Sequence, residues 1–319
     1  MHKFSPIFTV PLIIIFSFIV GFVSLGAMLN LFLFPFRVES ASIPHDYILY
    51  VSDKTGNQDI YSYDLVTKES ANLTDHAGDD MNPQLSPDGK TMIFYSDRSG
   101  TNQIYSMSLT THKTIRLTFD NGEDYDPSFS PTGHLIVFKS TRDDKRGDIF
   151  LMQANGRDQT NLTPWRDLTE EWDPIFSSDG KKIIFVSRHG ANAASDEIFS
   201  MDLDGKNLQQ LTKNSVSDWY PSINPQTGQI AFVSKDPVTH TDAIFTMNLD
   251  GSHKKVISHP LGNSDDPSWD TTGKKIIFIN QTNNDAIYTV YTMNADGTDT
   301  KQIIKTHNDE LSPLFSPAS

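Results

Sequence analysis

Cysteine is absent from the 319 residues of this chain, and basic residues are few. The missing cysteines exclude disulfides, thiolate metal sites, a cysteine nucleophile and the lipidated cysteine of a bacterial lipoprotein. Lysine and arginine number 26 against 40 aspartates and glutamates, which gives a formal net charge of −14. Because phosphate binding needs clustered cationic side chains, we expect no nucleic-acid partner, and cationic partners or metal ions suit the chain better.

The common catalytic motifs are missing as well. The chain contains no HExxH, GxSxG, GxxxxGK or GxGxxG, and its ten histidines show no repeated metal-ligand spacing. These absences make a zinc site or a serine hydrolase improbable. They favour a non-enzymatic protein, although they do not exclude an enzyme that lacks these motifs.

One short pattern is present six times between residue 82 and the C-terminus. The clearest copies are DPSFSPTG at 126–133, DPIFSSDG at 173–180 and DPSWDTTG at 266–273. A fixed period of this size is typical of propellers and solenoids. The repeated prolines fall 44, 47, 47, 46 and 46 residues apart, at Pro83, Pro127, Pro174, Pro221, Pro267 and Pro313.

Each repeat predicts four short antiparallel strands. A Pro-x-apolar strand comes first, a glycine turn and an apolar run such as IIFVS at 183–187 follow, and two further strands end in Leu-Thr. Four strands in about 46 residues indicate a propeller blade. The first copy lacks the Pro-x-apolar strand, and the last copy, SPLFSPAS at 312–319, consists of that strand alone. We therefore predict an all-β, six-bladed propeller in which the C-terminal strand completes the first blade, a three-plus-one closure.

The repeat resembles that of the TolB-type propellers, a WD-like family of PD repeats. The matching features here are SPDGK at 86–90, MIFYS at 92–96, IYSM at 104–107, the DG turns and Leu-Thr at 117–118. The resemblance covers about residues 47–319 and implies a propeller outside the cytoplasm that is used for protein–protein contact. About ten residues separate the first blade from an apolar N-terminal run, so we expect no α/β domain of the kind that precedes the propeller in TolB proper.

The N-terminal segment has no charged residue from Phe4 to Phe36. This run exceeds the roughly 20 residues that span a bilayer, so it predicts one transmembrane helix. We divide the chain into an anchor or signal segment at 1–40 and a propeller at 41–319, with the propeller on the extracytoplasmic side of a single-pass membrane protein. A cleaved signal peptide, which would leave a secreted or periplasmic protein, is the alternative.

Acidic residues recur three positions before the repeated proline and form the main candidate site. The loops that lead into the inner strands should lie at one mouth of the channel, so we expect these carboxylates to converge there and attract cations. Oxygen ligands without imidazole or thiolate would suit Ca²⁺, although a structural role in the strand is the alternative reading. The candidate binding and metal residues are Asp80, Asp124, Glu171, Asp218 and Glu310, with Ser264 at the sixth position.

Other residues near the same loops extend this candidate site. Trp172, Trp219 and Tyr220 could anchor a partner at the channel mouth or pack between blades. Directly before the proline come three further carboxylates, Asp126, Asp173 and Asp266.

Three functions are compatible with these observations. We favour a membrane-anchored, non-enzymatic module that binds a protein partner or a basic peptide. The alternatives are a propeller lyase or hydrolase acting on a polysaccharide or peptide at the channel mouth, and an accessory subunit of an envelope complex.

Overall fold

Twenty-four short strands form the regular structure of the chain, and a computed structural model describes residues 46–164, 170–188, 195–258, 262–282, 287–305 and 308–317. Within these ranges no helix has the length and apolar character that a membrane span requires. The predicted transmembrane helix and the predicted domain boundary at residue 40 lie outside the described residues.

The strands form six four-stranded antiparallel sheets, so the predicted six blades are confirmed. In blade 1 the last strand of the chain, β24 (Glu310–Phe315), precedes β1 (Tyr47–Ser52), β2 (Asp59–Asp64) and β3 (Ser70–Asn72), and blades 2 to 6 each use four consecutive strands. The inner strands are β4 (Asp80–Leu85), β8 (Asp124–Phe129), β12 (Glu171–Phe176), β16 (Asp218–Ile223), β20 (Gly262–Trp269) and β24 (Glu310–Phe315). The second strands are β1 (Tyr47–Ser52), β5 (Thr91–Ser96), β9 (Leu135–Ser140), β13 (Lys182–Ser187), β17 (Ile230–Lys235) and β21 (Lys275–Thr282).

The third strand of each blade has six residues, and the fourth has only two or three. The third strands are β2 (Asp59–Asp64), β6 (Gln103–Ser108), β10 (Asp148–Gln153), β14 (Glu197–Asp202), β18 (Asp242–Met247) and β22 (Thr289–Asn294). The fourth strands are β3 (Ser70–Asn72), β7 (Thr114–Arg116), β11 (Thr160–Asn161), β15 (Gln209–Gln210), β19 (Lys255–Val256) and β23 (Lys301–Gln302).

The C-terminal strand closes the ring. β24 pairs with β1 in the register Leu49↔Leu314, and it contacts both β20 and β4, the inner strands on either side of it. The predicted three-plus-one closure is therefore confirmed. It covers β1, which would otherwise be the exposed inner edge of blade 1 and a site for unwanted strand pairing.

The core lies between the blades and is built from the second and third strands. The predicted core aromatics of the second strands are all 0–2% exposed, and ring pairs such as Tyr50 with Tyr61 join them to the third strands, with centroids 5.6 Å apart. Burial of each such ring contributes about 1.5 to 3 kcal/mol. These six aromatics are Tyr50, Phe94, Phe138, Phe185, Phe232 and Phe278.

Two repeated features stabilise the blades, one acting within a blade and the other between neighbouring blades. The threonine of a Leu-Thr pair accepts a main-chain hydrogen bond in its own blade, as Thr118 Oγ1 does from the Ile104 N–H at 3.0 Å. In the next blade, the glycine of the turn after the third strand packs on the main-chain carbonyl of the residue that precedes this threonine or its equivalent. At Gly297, where φ is +89°, an added Cβ would lie 1.9 Å from the Ile257 carbonyl oxygen. Glycine is required there both by conformation and by space.

Candidate functional site

The six inner strands enclose a central channel with a volume of about 410 Å³. Each strand contributes to its lining the residue directly before the repeated proline. We call these six residues the bulge ring: Asn82, Asp126, Asp173, Tyr220, Asp266 and Ser312.

A β-bulge places each bulge-ring residue in the channel. In blade 4, Trp172 pairs with Val186 and Ile175 pairs with Ile184, so Asp173 and Pro174 together face the single residue Phe185. The same register shift occurs in all six inner strands. Proline is tolerated in such a bulge because the inner strand is an edge and needs no N–H there.

The backbone of the bulge ring explains much of its composition. All six residues have φ between 45° and 52°, the left-handed region. Asparagine and aspartate accept this conformation more readily than other side chains do, and four of the six positions carry one of them. Tyr220 has the least suitable side chain for this conformation, and it is 42% exposed.

Hydrogen bonds link successive bulge-ring residues across the blade boundaries. Asn82 Nδ2 donates to Asp126 Oδ1 over 2.6 Å. The Asp126 carboxylate also accepts the main-chain N–H of Asp173, and Asp173 accepts that of Tyr220. On the other side of the ring, Asp266 accepts hydrogen bonds from the side chain and main chain of Ser312. The aspartates therefore connect blades as well as lining the channel.

The three aspartates create a negative region in the channel. Their side chains retain partial access to the channel, but protein surrounds them on their other sides, and this burial raises the pKa of all three. The pKa of Asp266 is raised to about 6, and the charges of Asp126 and Asp266 add to the increase at Asp173. Among the described residues, none of the three forms an ion pair within 4.0 Å.

The predicted acidic set lies elsewhere. Its members begin the inner strands, and every one of them is 0–1% exposed. The expected convergence at the channel is not seen for this set, because the side chains are buried in the protein and none of them lines the channel. A binding or metal role for these residues stays a prediction. The buried residues are Asp80, Asp124, Glu171, Asp218 and Glu310, together with Ser264.

Cationic side chains neutralise three members of this set. Arg98 Nη2 lies 2.7 Å from both carboxylate oxygens of Asp80. Arg142 Nη2 lies 3.1 Å from Asp124 Oδ1, and Lys254 Nζ lies 3.2 Å from Asp218 Oδ1. In blade 4, Ser187 Oγ donates to Glu171 Oε1 over 3.3 Å, and in blade 6 Asn280 Nδ2 donates to Ser264 Oγ over 2.9 Å.

The three predicted aromatic residues separate in the structure. Tyr220 lines the channel. Trp219 is half-buried and donates from Nε1 to Asp196 Oδ2 over 3.1 Å, while Trp172 lies under Lys139, whose Nζ is 5.4 Å from the ring centroid. Only Tyr220 of the eight predicted binding residues therefore borders the channel.

The sequence predicts that Ca²⁺ would suit the oxygen ligands of the acidic set. In the part of the chain that the structure describes, no group of three or more His, Asp or Glu side chains is arranged to hold a metal ion. Binding of Ca²⁺ stays a prediction without a located site.

The family model of the TolB β-propeller domain matches residues 44–164, 102–272 and 173–319. The chain belongs to the TolB propeller family. The Tol-Pal system protein TolB of Francisella tularensis subsp. tularensis strain WY96-3418 is 28% identical over 200 residues, which are 63% of this chain and 46% of that protein. The chain thus spans about half the length of this curated relative.

Solved TolB structures share the architecture. TolB from Acinetobacter baumannii superposes with a TM-score of 0.72 at 20% identity, over 85% of this chain and 67% of that one. A putative TolB from Agrobacterium tumefaciens gives a TM-score of 0.68 at 18% identity, over 86% of this chain and 100% of that one. At these identities the likeness shows the fold alone.

Proposed function

We propose that this TolB-family chain is a non-enzymatic protein-binding module that receives a basic segment of a partner protein in its channel. The observation that carries the proposal is the bulge ring, which presents three carboxylates beside the exposed Tyr220, and no side chain in the described ranges forms an ion pair with them. A lysine or arginine side chain of a partner would supply the missing positive charge.

The channel environment strengthens this attraction. Charges interact more strongly where protein replaces water, so a cation in the channel would gain more from Asp126, Asp173 and Asp266 than from three carboxylates on the surface. An arginine or lysine could also lie over the face of Tyr220, a contact worth about 0.5 to 2 kcal/mol. The net charge of −14 would favour the approach of a basic partner.

Family membership supports a binding role over a catalytic one. The Francisella tularensis relative is a Tol-Pal system protein, which supports a place for this chain as an accessory subunit of an envelope complex. The uncharged run from Phe4 to Phe36 supports a membrane anchor with the propeller on the extracytoplasmic side.

Site-specific crosslinking in the producing cells tests the proposal. A photoreactive phenylalanine analogue replaces Tyr220 in one variant of the full chain. In the control it replaces Val66, which is 77% exposed and lies outside the channel. We expect a discrete crosslinked protein only from position 220, and we expect an arginine-rich peptide to compete with it. Equal crosslinking at both positions, or none at position 220, would reject capture in the channel.

A further inference from the structure

A second surface, separate from the channel, lies between blades 2 and 3. Here a groove with a volume of about 440 Å³ is formed by the end of β7, the connection that follows it and the turn between β10 and β11. It shares no lining residue with the channel. We call it the rim groove, and its principal residues are Arg116, Phe119, Asp120, Arg142, Arg157 and Gln159.

The rim groove is cationic on a strongly acidic protein. Three arginines and one aspartate line it, whereas the whole chain has a net charge of −14. Asp120 is already neutralised, because its Oδ2 lies 2.7 Å from Arg142 Nη2. Arg142 also hydrogen-bonds to Asp124 and Gln159 and lies over the Phe138 and Phe150 rings, so its role is structural.

The other two arginines are available to a ligand. Arg116 donates from Nε to the Thr118 carbonyl, and its guanidinium lies 4.9 Å from the centroid of the Phe119 ring. Arg157 is exposed. Within the described ranges, neither Arg116 nor Arg157 has a carboxylate within ion-pair distance.

Phe119 adds a large apolar contact between these charges. Its side chain is 72% exposed. The repeat does not call for an aromatic residue there, since Asp75, Pro164 and Lys213 follow the corresponding Leu-Thr pairs of other blades. Exposed aromatic and arginine side chains together are the residues most often found at the energetic centre of protein interfaces.

We propose that the rim groove binds an acidic peptide segment of a partner protein. Arginine forms paired hydrogen bonds with carboxylates, so Arg116 and Arg157 suit aspartate or glutamate side chains on either side of an apolar residue that contacts Phe119. The strand beside the groove also suits a peptide ligand. β7 is the outer strand of its sheet, so its main chain can hydrogen-bond to the extended main chain of a peptide. The ligand has the opposite charge to the one expected in the channel.

Fluorescence anisotropy tests this assignment on the full chain, purified in a mild detergent. The probe is a fluorescein-labelled peptide of alternating Glu and Phe, and unlabelled polygalacturonate serves as an anionic polysaccharide competitor. The test variant is Arg116→Glu with Arg157→Glu. Its matched control is Lys181→Glu with Lys206→Glu, because those lysines are also exposed, at 80% and 76% of their side chains, and lie outside the groove.

We expect the wild-type chain to bind the peptide, the arginine double variant to lose about tenfold or more in affinity, and the lysine double variant to match the wild type. Phe119→Ser should weaken binding more than Val66→Ser does. Absence of peptide binding, equal losses in both charge-reversed variants, or preferential binding of polygalacturonate would overturn the proposal. Replacing the three channel aspartates with asparagine should leave binding of the acidic peptide intact. The rim-groove proposal can therefore fail while the channel proposal holds, and the reverse is also true.

Discussion

Asn82 donates a hydrogen bond from Nδ2 to Asp126 Oδ1 over 2.6 Å and so joins the inner strands of blades 2 and 3 inside the channel. Both residues have left-handed backbones and both precede a repeated proline. The contact shows that one position of the repeat has two roles. It fixes the spacing of neighbouring blades, and it presents polar groups to whatever enters the channel.

Tyr220 should reduce the stability of the folded protein, because a tyrosine is poorly suited to a bulge-ring position. It has φ +49° although it is not glycine, asparagine or aspartate, and its ring is 42% exposed. We expect Tyr220→Asn to raise the free energy of unfolding by about 1 kcal/mol, because asparagine accepts the left-handed region more readily. Urea denaturation measures the change. Tyr220→Phe keeps the backbone strain and should match the wild type, and a loss of stability in Tyr220→Asn would show that ring packing outweighs strain.

Asp266 should make stability depend on pH. Burial raises its pKa from 3.8 to about 6 in the folded protein, so the folded state binds a proton more tightly than the unfolded chain does. The contribution of Asp266 to the free energy of unfolding therefore falls as pH rises from about 4 to about 6. At about 1.4 kcal/mol per unit of pKa, Asp266→Asn should gain up to roughly 3 kcal/mol relative to the wild type across this window.

Thermal denaturation of the wild type and of Asp266→Asn from pH 4 to pH 7 measures this difference. The effects of titrating groups distant from Asp266 cancel in the comparison, whereas the difference includes the interaction of Asp266 with Asp173, whose pKa the Asp266 charge also raises. A constant difference between the two proteins would contradict a raised pKa at Asp266.

Gly297 should be far less replaceable than Gly100. Both have φ near +90°, but a Cβ at Gly297 would lie 1.9 Å from the Ile257 carbonyl oxygen, whereas one at Gly100 would meet nothing within 4 Å. We expect Gly100→Ala to cost about 1 kcal/mol for backbone strain and Gly297→Ala to cost several times more. Equal changes in urea denaturation would mean that the blade contact is not tight.

Asp80 should contribute to stability. Its carboxylate is buried, and Arg98, whose side chain is 14% exposed, is paired with it. Because Asp80→Asn leaves Arg98 buried without its counter-charge, we expect a loss of about 3 kcal/mol or more in the free energy of unfolding. The control is Asp204→Asn, since Asp204 is 57% exposed in its pair with Lys206. A normally stable Asp80→Asn protein that has lost a ligand would instead support the binding role predicted from sequence.

The architecture could be predicted because its determinants are local and repeated. Each proline marks an inner strand, each buried aromatic marks a second strand, and the truncated copy at 312–319 indicates how the ring closes. The sequence repeats this pattern six times, so one ambiguous copy does not change the prediction of a six-bladed propeller.

The channel lining could not be derived in the same way. Strict alternation along a strand would place Asp124 and Asp126 on one face, but the left-handed residue at 126 breaks that alternation. Asp124 consequently turns into the protein, and Asp126 enters the channel. The cationic partner of Asp218 could not be predicted from the sequence either, because Lys254 lies 36 residues away and outside the repeated motif.

The central claim is that the bulge ring binds a cationic segment, and isothermal titration calorimetry with a peptide of alternating Lys and Gly tests it most directly. The full chain is compared at pH 7.5 with the triple variant Asp126→Asn, Asp173→Asn, Asp266→Asn. The control is Asp204→Asn, Asp250→Asn, Asp296→Asn, which replaces the same number of aspartates in exposed turns where Asn-Gly is equally suitable. We predict that the channel variant loses binding while the control retains it, and equal affinities in all three proteins would contradict the account.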